Sequence, residues 1–178
     1  MMGAVEPRTV PAGLCVMVMG PSGVGKSTFA HALADRIGAV FIEGDDYHPA
    51  ENQAAMSAGR ALTDEMRMPW LSALSEAVKA SCAARPTVFT CSALKRSYRD
   101  FLRERIGPLR LIMLQAPPEL IRKRMSERQH FMPPALLDSQ ISTLQPPLPN
   151  ERAICLDMSD PLEDVTQRAM AALLQAKA

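Results

Sequence analysis

Leu14-Cys-Val-Met-Val-Met19, then Gly20-Pro-Ser-Gly-Val-Gly-Lys-Ser27, then Thr28-Phe-Ala-His-Ala-Leu-Ala-Asp-Arg36 read as an apolar strand, a glycine-rich turn and the opening of a helix. The turn spells G-x-x-x-x-G-K-S, and the strand before it with the helix after it make this a phosphate-binding loop rather than a chance cluster of glycines. Backbone N–H groups wrap a triphosphate only where no side chain obstructs them, which accounts for Gly20, Gly23 and Gly25. The helix directs its positive end at the same place. Lys26 then supplies a point charge to the β and γ phosphates, and the Ser27 hydroxyl a ligand for Mg²⁺. The stretch predicts that Gly20, Pro21, Ser22, Gly23, Val24, Gly25, Lys26, Ser27 and Thr28 cradle a nucleoside triphosphate.

Composition sets the frame around this loop. A chain of 178 residues that is 47% hydrophobic suits one domain able to bury a full core. The expected organisation is a flexible tail over 1–12 and a single domain over 13–178. A formal net charge of +1 gives no general attraction to nucleic acid or a membrane surface. No run approaches the ~18 apolar residues of a membrane span, and Met1 to Gly13 lacks the apolar core of a signal peptide, so the expected location is the cytoplasm. Cys15, Cys91 and Cys155 lie in apolar, strand-like runs, Cys82 lies near a helix end, and no C-x-x-C pair occurs. Free, mostly buried thiols without a catalytic role are the expectation.

Four more strands follow the loop, at Ala39 to Glu43, Thr87 to Cys91, Leu109 to Leu114 and Ala153 to Leu156, with helical patterns between them. Helices are expected from Ala50 to Ser57, from a cap at Thr63 or Asp64 to about Ala84, and over 134–144; Pro69 is placed to bend or restart the second. This alternation predicts an α/β fold, three layers α/β/α around a five-stranded parallel sheet. Ligands of such sheets sit at the carboxyl ends of the strands. Strand two delivers Glu43, Asp45 and His48 to that rim, and strand three delivers Ser92 and Lys95.

The third strand ends Cys91-Ser-Ala-Leu-Lys95 without the metal-associated carboxylate common in P-loop ATPases and GTPases, and no N-K-x-D guanine motif occurs. Glu43 and Asp45 become the candidates for that work. Two residues apart on an extended segment, they face the same way, so that one could hold Mg²⁺ and the other accept a proton from an alcohol. Arg67, Lys95, Arg96 and Arg99 leave the same rim. Arg124 and Arg128, four apart on one helix face within a basic segment, suit a lid around 122–134 that clamps phosphates. Another small-molecule kinase, acting on shikimate or a nucleoside monophosphate, and a nucleotide-binding regulatory module are the rival readings.

Several ordered blocks beyond the loop carry a family resemblance. They are Glu43-Gly-Asp-Asp-Tyr-His-Pro49, Asn52 with Met56, Leu62-Thr-Asp-Glu-Met-Arg-Met-Pro-Trp-Leu71, Cys91-Ser-Ala-Leu-Lys-Arg-Ser-Tyr-Arg-Asp100, His130-Phe-Met132 and Leu137-Asp-Ser-Gln140. Over roughly Val16 to Leu162 the chain resembles the thermoresistant-type gluconokinases. The resemblance implies a shikimate-kinase-like, nucleoside-kinase-like P-loop fold and transfer of a phosphoryl group from ATP to D-gluconate, giving ADP and 6-phosphogluconate. It places Lys26 and Ser27 on ATP and Mg²⁺, Asp45 as general base and Glu43 near the metal. It also places His48, Arg67, Lys95 and His130 around the acceptor, with Arg124 and Arg128 closing over the phosphates, and it implies a homodimer. Trp70 and Met56 are expected to pack rather than to touch ligand. The chain departs from the family pattern at Ala55, where a lysine is usual, at Arg128-Gln-His-Phe131, which lacks a glycine and is one residue shorter, and at Gln145, where an acid is common.

Overall fold

The computed structural model describes residue 10 and residues 13–127 and 135–175. Arg128, His130 and the later part of the expected lid lie outside them. In chain order the elements are β1 Cys15–Met19, α1 Lys26–Ile37, β2 Val40–Ile42, a 3₁₀ turn Gly44–Tyr47, α2 Ala50–Ser57, α3 Asp64–Ala84, β3 Thr87–Thr90, α4 Arg96–Ile106, β4 Arg110–Gln115, α5 Pro118–Glu127, α6 Ala135–Thr143, a 3₁₀ turn Pro149–Glu151, β5 Ile154–Asp157 and α7 Leu162–Gln175.

The five strands form one parallel sheet in the order β2-β3-β1-β4-β5. The central strand β1 places Val18 between Thr90 of β3 and Ile112 of β4. Side chains alternate across a strand, so Val16 and Val18 face a core built with Phe29, Leu33, Ile121 and Val165, while Cys15, Met17 and Met19 face one built with Trp70, Leu71, Leu74 and Leu102. A sheet buried on both faces needs apolar residues at successive positions, which is why β1 reads as a continuous run. Helix α3 begins where Thr63 caps it by accepting from the Met66 N–H and runs through Pro69 unbroken. The proline lies in the second turn, and the carbonyl it leaves without an N–H partner belongs to exposed Glu65, within reach of water.

One glycine outside the phosphate loop is sterically required. A Cβ on Gly44 would stand 1.9 Å from the Thr90 carbonyl oxygen, so no side chain fits where the turn after β2 crosses β3. The Gly44 N–H donates to the Thr90 hydroxyl, and that hydroxyl donates to Glu43.

Two expectations from sequence are corrected. Cys15 and Cys82 are joined in a disulfide linking β1 to α3 across 67 residues, and Cys155 is exposed on the edge strand; Cys91 remains a buried thiol, pushed up to about 12 by burial. The pairing depends on how α3 packs on the sheet, which no local pattern records. Arg99 is also not a rim cation. It is fully buried, donates to both Glu151 carboxylate oxygens at 2.7 and 2.8 Å, and its Nη1 donates to the Ala93, Leu94 and Gln145 carbonyls. Arg103 adds a bond to Glu151 at 2.9 Å. This charged group ties α4, the loop after β3 and the turn before β5 together, and it holds Ala93 at its positive φ of 43°.

Removing Arg99 leaves the buried Glu151 carboxylate with only the partly exposed Arg103 and the Leu148 N–H, so Arg99→Leu is expected to cost ~3 kcal/mol, read from urea denaturation midpoints. The bonds from Arg99 hold the Glu151 carboxyl well below its usual range, at about 2. A carboxyl depressed on folding contributes stability that is complete above its unfolded pKa near 4.5 and is lost as pH falls toward about 2. Arg99→Leu should diminish that part of the acid transition, because Arg99 is the largest of the groups that depress the Glu151 carboxyl.

Candidate active site

The phosphate loop runs from the end of β1 into α1. Gly23 and Gly25 have φ of +79° and +110°, and a Cβ on Gly23 would press on Met125 at 2.4 Å, so the loop closes tightly against α5. The result is a cradle lined by Ser22, Gly23, Gly25, Lys26, Ser27 and Thr28, with Arg124 of α5 at its side. The Arg124 guanidinium donates to the Met158 carbonyl at 2.7 Å and the Val24 carbonyl at 3.3 Å. The Ser27 and Thr28 side chains are exposed to the cradle, as a metal- or phosphate-binding hydroxyl must be.

A second pocket adjoins the cradle across the strand ends. Asp45, His48, Arg67 and Ser92 line it, with Leu62, Leu94 and Met56 as its apolar wall. Met56 therefore packs and also lines the pocket, whereas Trp70 is fully buried behind it. Ser22, Lys26 and Asp45 line both spaces. Lys26 rests its Nζ on the Pro21 carbonyl at 3.0 Å. Burial pulls its ammonium below the usual lysine range, and the Asp45 and Glu43 carboxylates oppose that pull. A half-buried cation facing two acids and a ring of backbone donors is a site for a polyanion.

His48 is buried, stacks on Trp70 with ring centroids 4.0 Å apart, and places Nε2 at 3.8 Å from Asp45 Oδ1. Burial first and the Arg67 charge second push its pKa down to about 4, so the ring is neutral near pH 7 and the approach to Asp45 is not an ion pair. Trp70 donates its indole N–H to the Gly44 carbonyl at 2.8 Å, which fixes the plane on which the imidazole rests.

Lys95 departs from the sequence expectation. Its Nζ donates to both oxygens of Asp64 at 2.8 and 2.9 Å, it does not line the pocket, and Tyr98 shares the same carboxylate. Its hydrogen bonds to the Asp64 carboxylate hold the Lys95 ammonium above its usual range. Arg67 does line the pocket, stacked 5.6 Å over the Tyr98 ring.

Two further polar residues of the sequence blocks make contacts around the site. Gln140 of α6 accepts from the Ser22 N–H at 2.7 Å and donates to its hydroxyl at 3.1 Å, binding α6 to the phosphate loop. Asn52 of α2 is buried and lies 3.3 Å from His48 Nδ1. Gln145, in the place of a common acid, accepts from the Arg96 N–H at 2.8 Å where α4 begins, so an amide oxygen meets that need. Ala55 is buried against Met56, Leu62 and Leu136, in a space a lysine would have to leave.

Among the described residues no helix is long and apolar enough to cross a membrane, and no three His, Cys, Asp or Glu side chains form a cluster for a metal ion. Magnesium is ordinarily held by one or two side chains together with substrate phosphates. Ser27 lines the cradle, whereas Glu43 is not among the residues lining either pocket and its carboxylate accepts from the Thr90 hydroxyl.

Comparison with known proteins agrees with this arrangement. The family model described as an AAA domain matches residues 15–147, from β1 past α6. The thermosensitive gluconokinase of Escherichia coli K12 is 40% identical over 166 residues, covering 92% of this chain and 89% of that protein. The crystal structure of a gluconokinase from Sinorhizobium meliloti 1021 superposes with a TM-score of 0.83 at 42% identity, over 93% of this chain and 94% of that one. A shikimate kinase from Bacteroides thetaiotaomicron, at 16% identity and a TM-score of 0.66, shares the fold alone. With the phosphate loop, the acid block after β2 and the pocket between them all in place, the chain belongs to the gluconokinase family.

Proposed function

We propose that this protein transfers the γ-phosphoryl group of ATP to a hydroxyl of D-gluconate, giving ADP and 6-phosphogluconate. The observation that carries the reading is that Lys26 and Asp45 line both the phosphate cradle and the adjoining pocket. A carboxylate at that junction can accept the proton of an alcohol as its oxygen bonds to phosphorus. The bond from phosphorus to the oxygen of ADP breaks in the same displacement. Lys26, the loop N–H groups and Arg124 stabilise the charge on the transferring and leaving oxygens. Ser27, with Glu43, would hold Mg²⁺, which when bound would further neutralise phosphate charge.

His48 and Arg67 are the acceptor-binding groups in this reading, Arg67 as the cation for the gluconate carboxylate. Lys95 joins them only if gluconate draws it from Asp64. Arg128 and His130, which lie outside the described residues, keep their proposed roles toward the phosphates and the acceptor. The single domain over 13–178, a homodimer and a cytoplasmic location, where ATP is supplied, complete the proposal.

ADP release by the purified protein with Mg²⁺ and ATP, measured against gluconate, shikimate and AMP, tests it. Turnover with gluconate alone is expected, and turnover only with another acceptor would reassign the pocket. Arg67→Ala is expected to raise KM for gluconate at least ~10-fold with KM for ATP little changed, as loss of a charge-assisted contact to the acceptor requires. An effect confined to KM for ATP would put Arg67 on the wrong ligand.

A further inference from the structure

We infer that Asn52 is a positioning residue that holds the buried His48 ring as its Nε2–H tautomer, presenting a hydrogen-bond donor beside Asp45 where the acceptor hydroxyl binds. The inference rests on the reading of that pocket as the acceptor site. The orientation of the Asn52 amide follows from its second contact. Asn52 Nδ2 lies 2.9 Å from the Met66 carbonyl oxygen. Turning the amide over would put two acceptor oxygens against one another there, so the NH₂ group must occupy this position.

The same NH₂ group lies 3.3 Å from His48 Nδ1. An amide nitrogen has hydrogens to give and no lone pair to receive one, so Nδ1 must be the unprotonated nitrogen of the ring. A neutral imidazole then carries its proton on Nε2, the nitrogen nearest Asp45. The ring is neutral because it is buried and because Arg67 faces it from α3; Asp45 on its own turn and Lys26 on α1 are the other charged groups that share its pocket. The Trp70 stack fixes the ring plane, and Gln53 holds the His48 carbonyl at 3.1 Å. Neither of those contacts chooses between the two nitrogens, whereas Asn52 does.

The choice matters for the chemistry. An acceptor hydroxyl that receives a hydrogen bond from Nε2–H keeps its own proton for the Asp45 carboxylate. The opposite tautomer would offer a lone pair at Nε2, which competes with Asp45 for that proton. Asn52 thereby assigns the base role to Asp45 and leaves His48 to orient the hydroxyl.

Long-range ¹H–¹⁵N spectra of histidine-labelled protein, assigned with His48→Gln, report which ring nitrogen bears the proton. The wild-type protein is expected to show His48 protonated at Nε2 only, and a proton on Nδ1 would overturn the inference without recourse to any Asn52 variant. Asn52→Asp replaces the donor with an acceptor and should shift the proton to Nδ1, with kcat/KM for gluconate falling about tenfold or more and KM for ATP unchanged. A variant that keeps the Nε2–H form, or changes tautomer with kcat/KM unaltered, would also sink it. The spectra need no substrate, so a wild-type protein inactive on gluconate would count against the reading of the pocket, and a proton on Nδ1 in an active enzyme against this inference alone.

Discussion

Lys26→Met is expected to abolish phosphoryl transfer, with kcat/KM falling at least ~1000-fold in a coupled ADP assay. The Lys26 ammonium is the cation common to the phosphate cradle and the acceptor pocket, and Asp45 and Glu43 both act on it. Methionine keeps most of the stem volume and removes the charge, so the change isolates electrostatics from packing. The fold should survive, because the charge deleted is one that burial already disfavours and its bond to the Pro21 carbonyl is a single contact at 3.0 Å. Thermal unfolding without nucleotide should stay within a few degrees of wild type, while the stabilisation conferred by ATP should shrink. Near-normal turnover in a folded Lys26→Met protein would contradict the assignment of the loop.

Asp45→Asn is expected to lower kcat by at least ~100-fold and leave KM for ATP nearly unchanged, the pattern for loss of a general base. Asp45 sits at the start of the 3₁₀ turn after β2, where its carbonyl accepts from the His48 N–H at 3.2 Å and its side chain lines both pockets. Asparagine preserves the size and the backbone contact and removes the basicity. Single-turnover rates separate the two ways the prediction could fail. A fast chemical step would take Asp45 out of the base role, and a raised KM for gluconate with unchanged kcat would make it a binding group instead.

The contrast between Asp45 and Lys95 shows what could be read from the chain and what could not. Both follow strands that short apolar runs mark, and the rule that ligands gather at strand ends put both on one rim. Asp45 lies three residues past a three-residue strand, on a turn tied down by Gly44 and Thr90, so its position follows from residues close in sequence and one strand contact. Lys95 has a long stem, and its direction is decided by Asp64, 31 residues away on another helix. The same division runs through the cations. Arg124 stands beside the cradle on α5, where the helix pattern had put it, while Arg99 four residues beyond Lys95 turned out to be buried against Glu151, 52 residues away.

The phosphate loop, the strand and helix succession, the parallel three-layer architecture and the position of Asp45, His48 and Arg67 around one pocket were legible in the chain. These depend on periodicity, turn chemistry and spacings that act between near neighbours along the chain. Only the tertiary structure decided the strand order, the Cys15–Cys82 link, the Arg99–Glu151 tie, the retraction of Lys95 and the contact of Asn52 with His48. Each of these depends on which faces pack together and which buried polar groups then need partners, and any donor or acceptor brought within ~3 Å could have met that need.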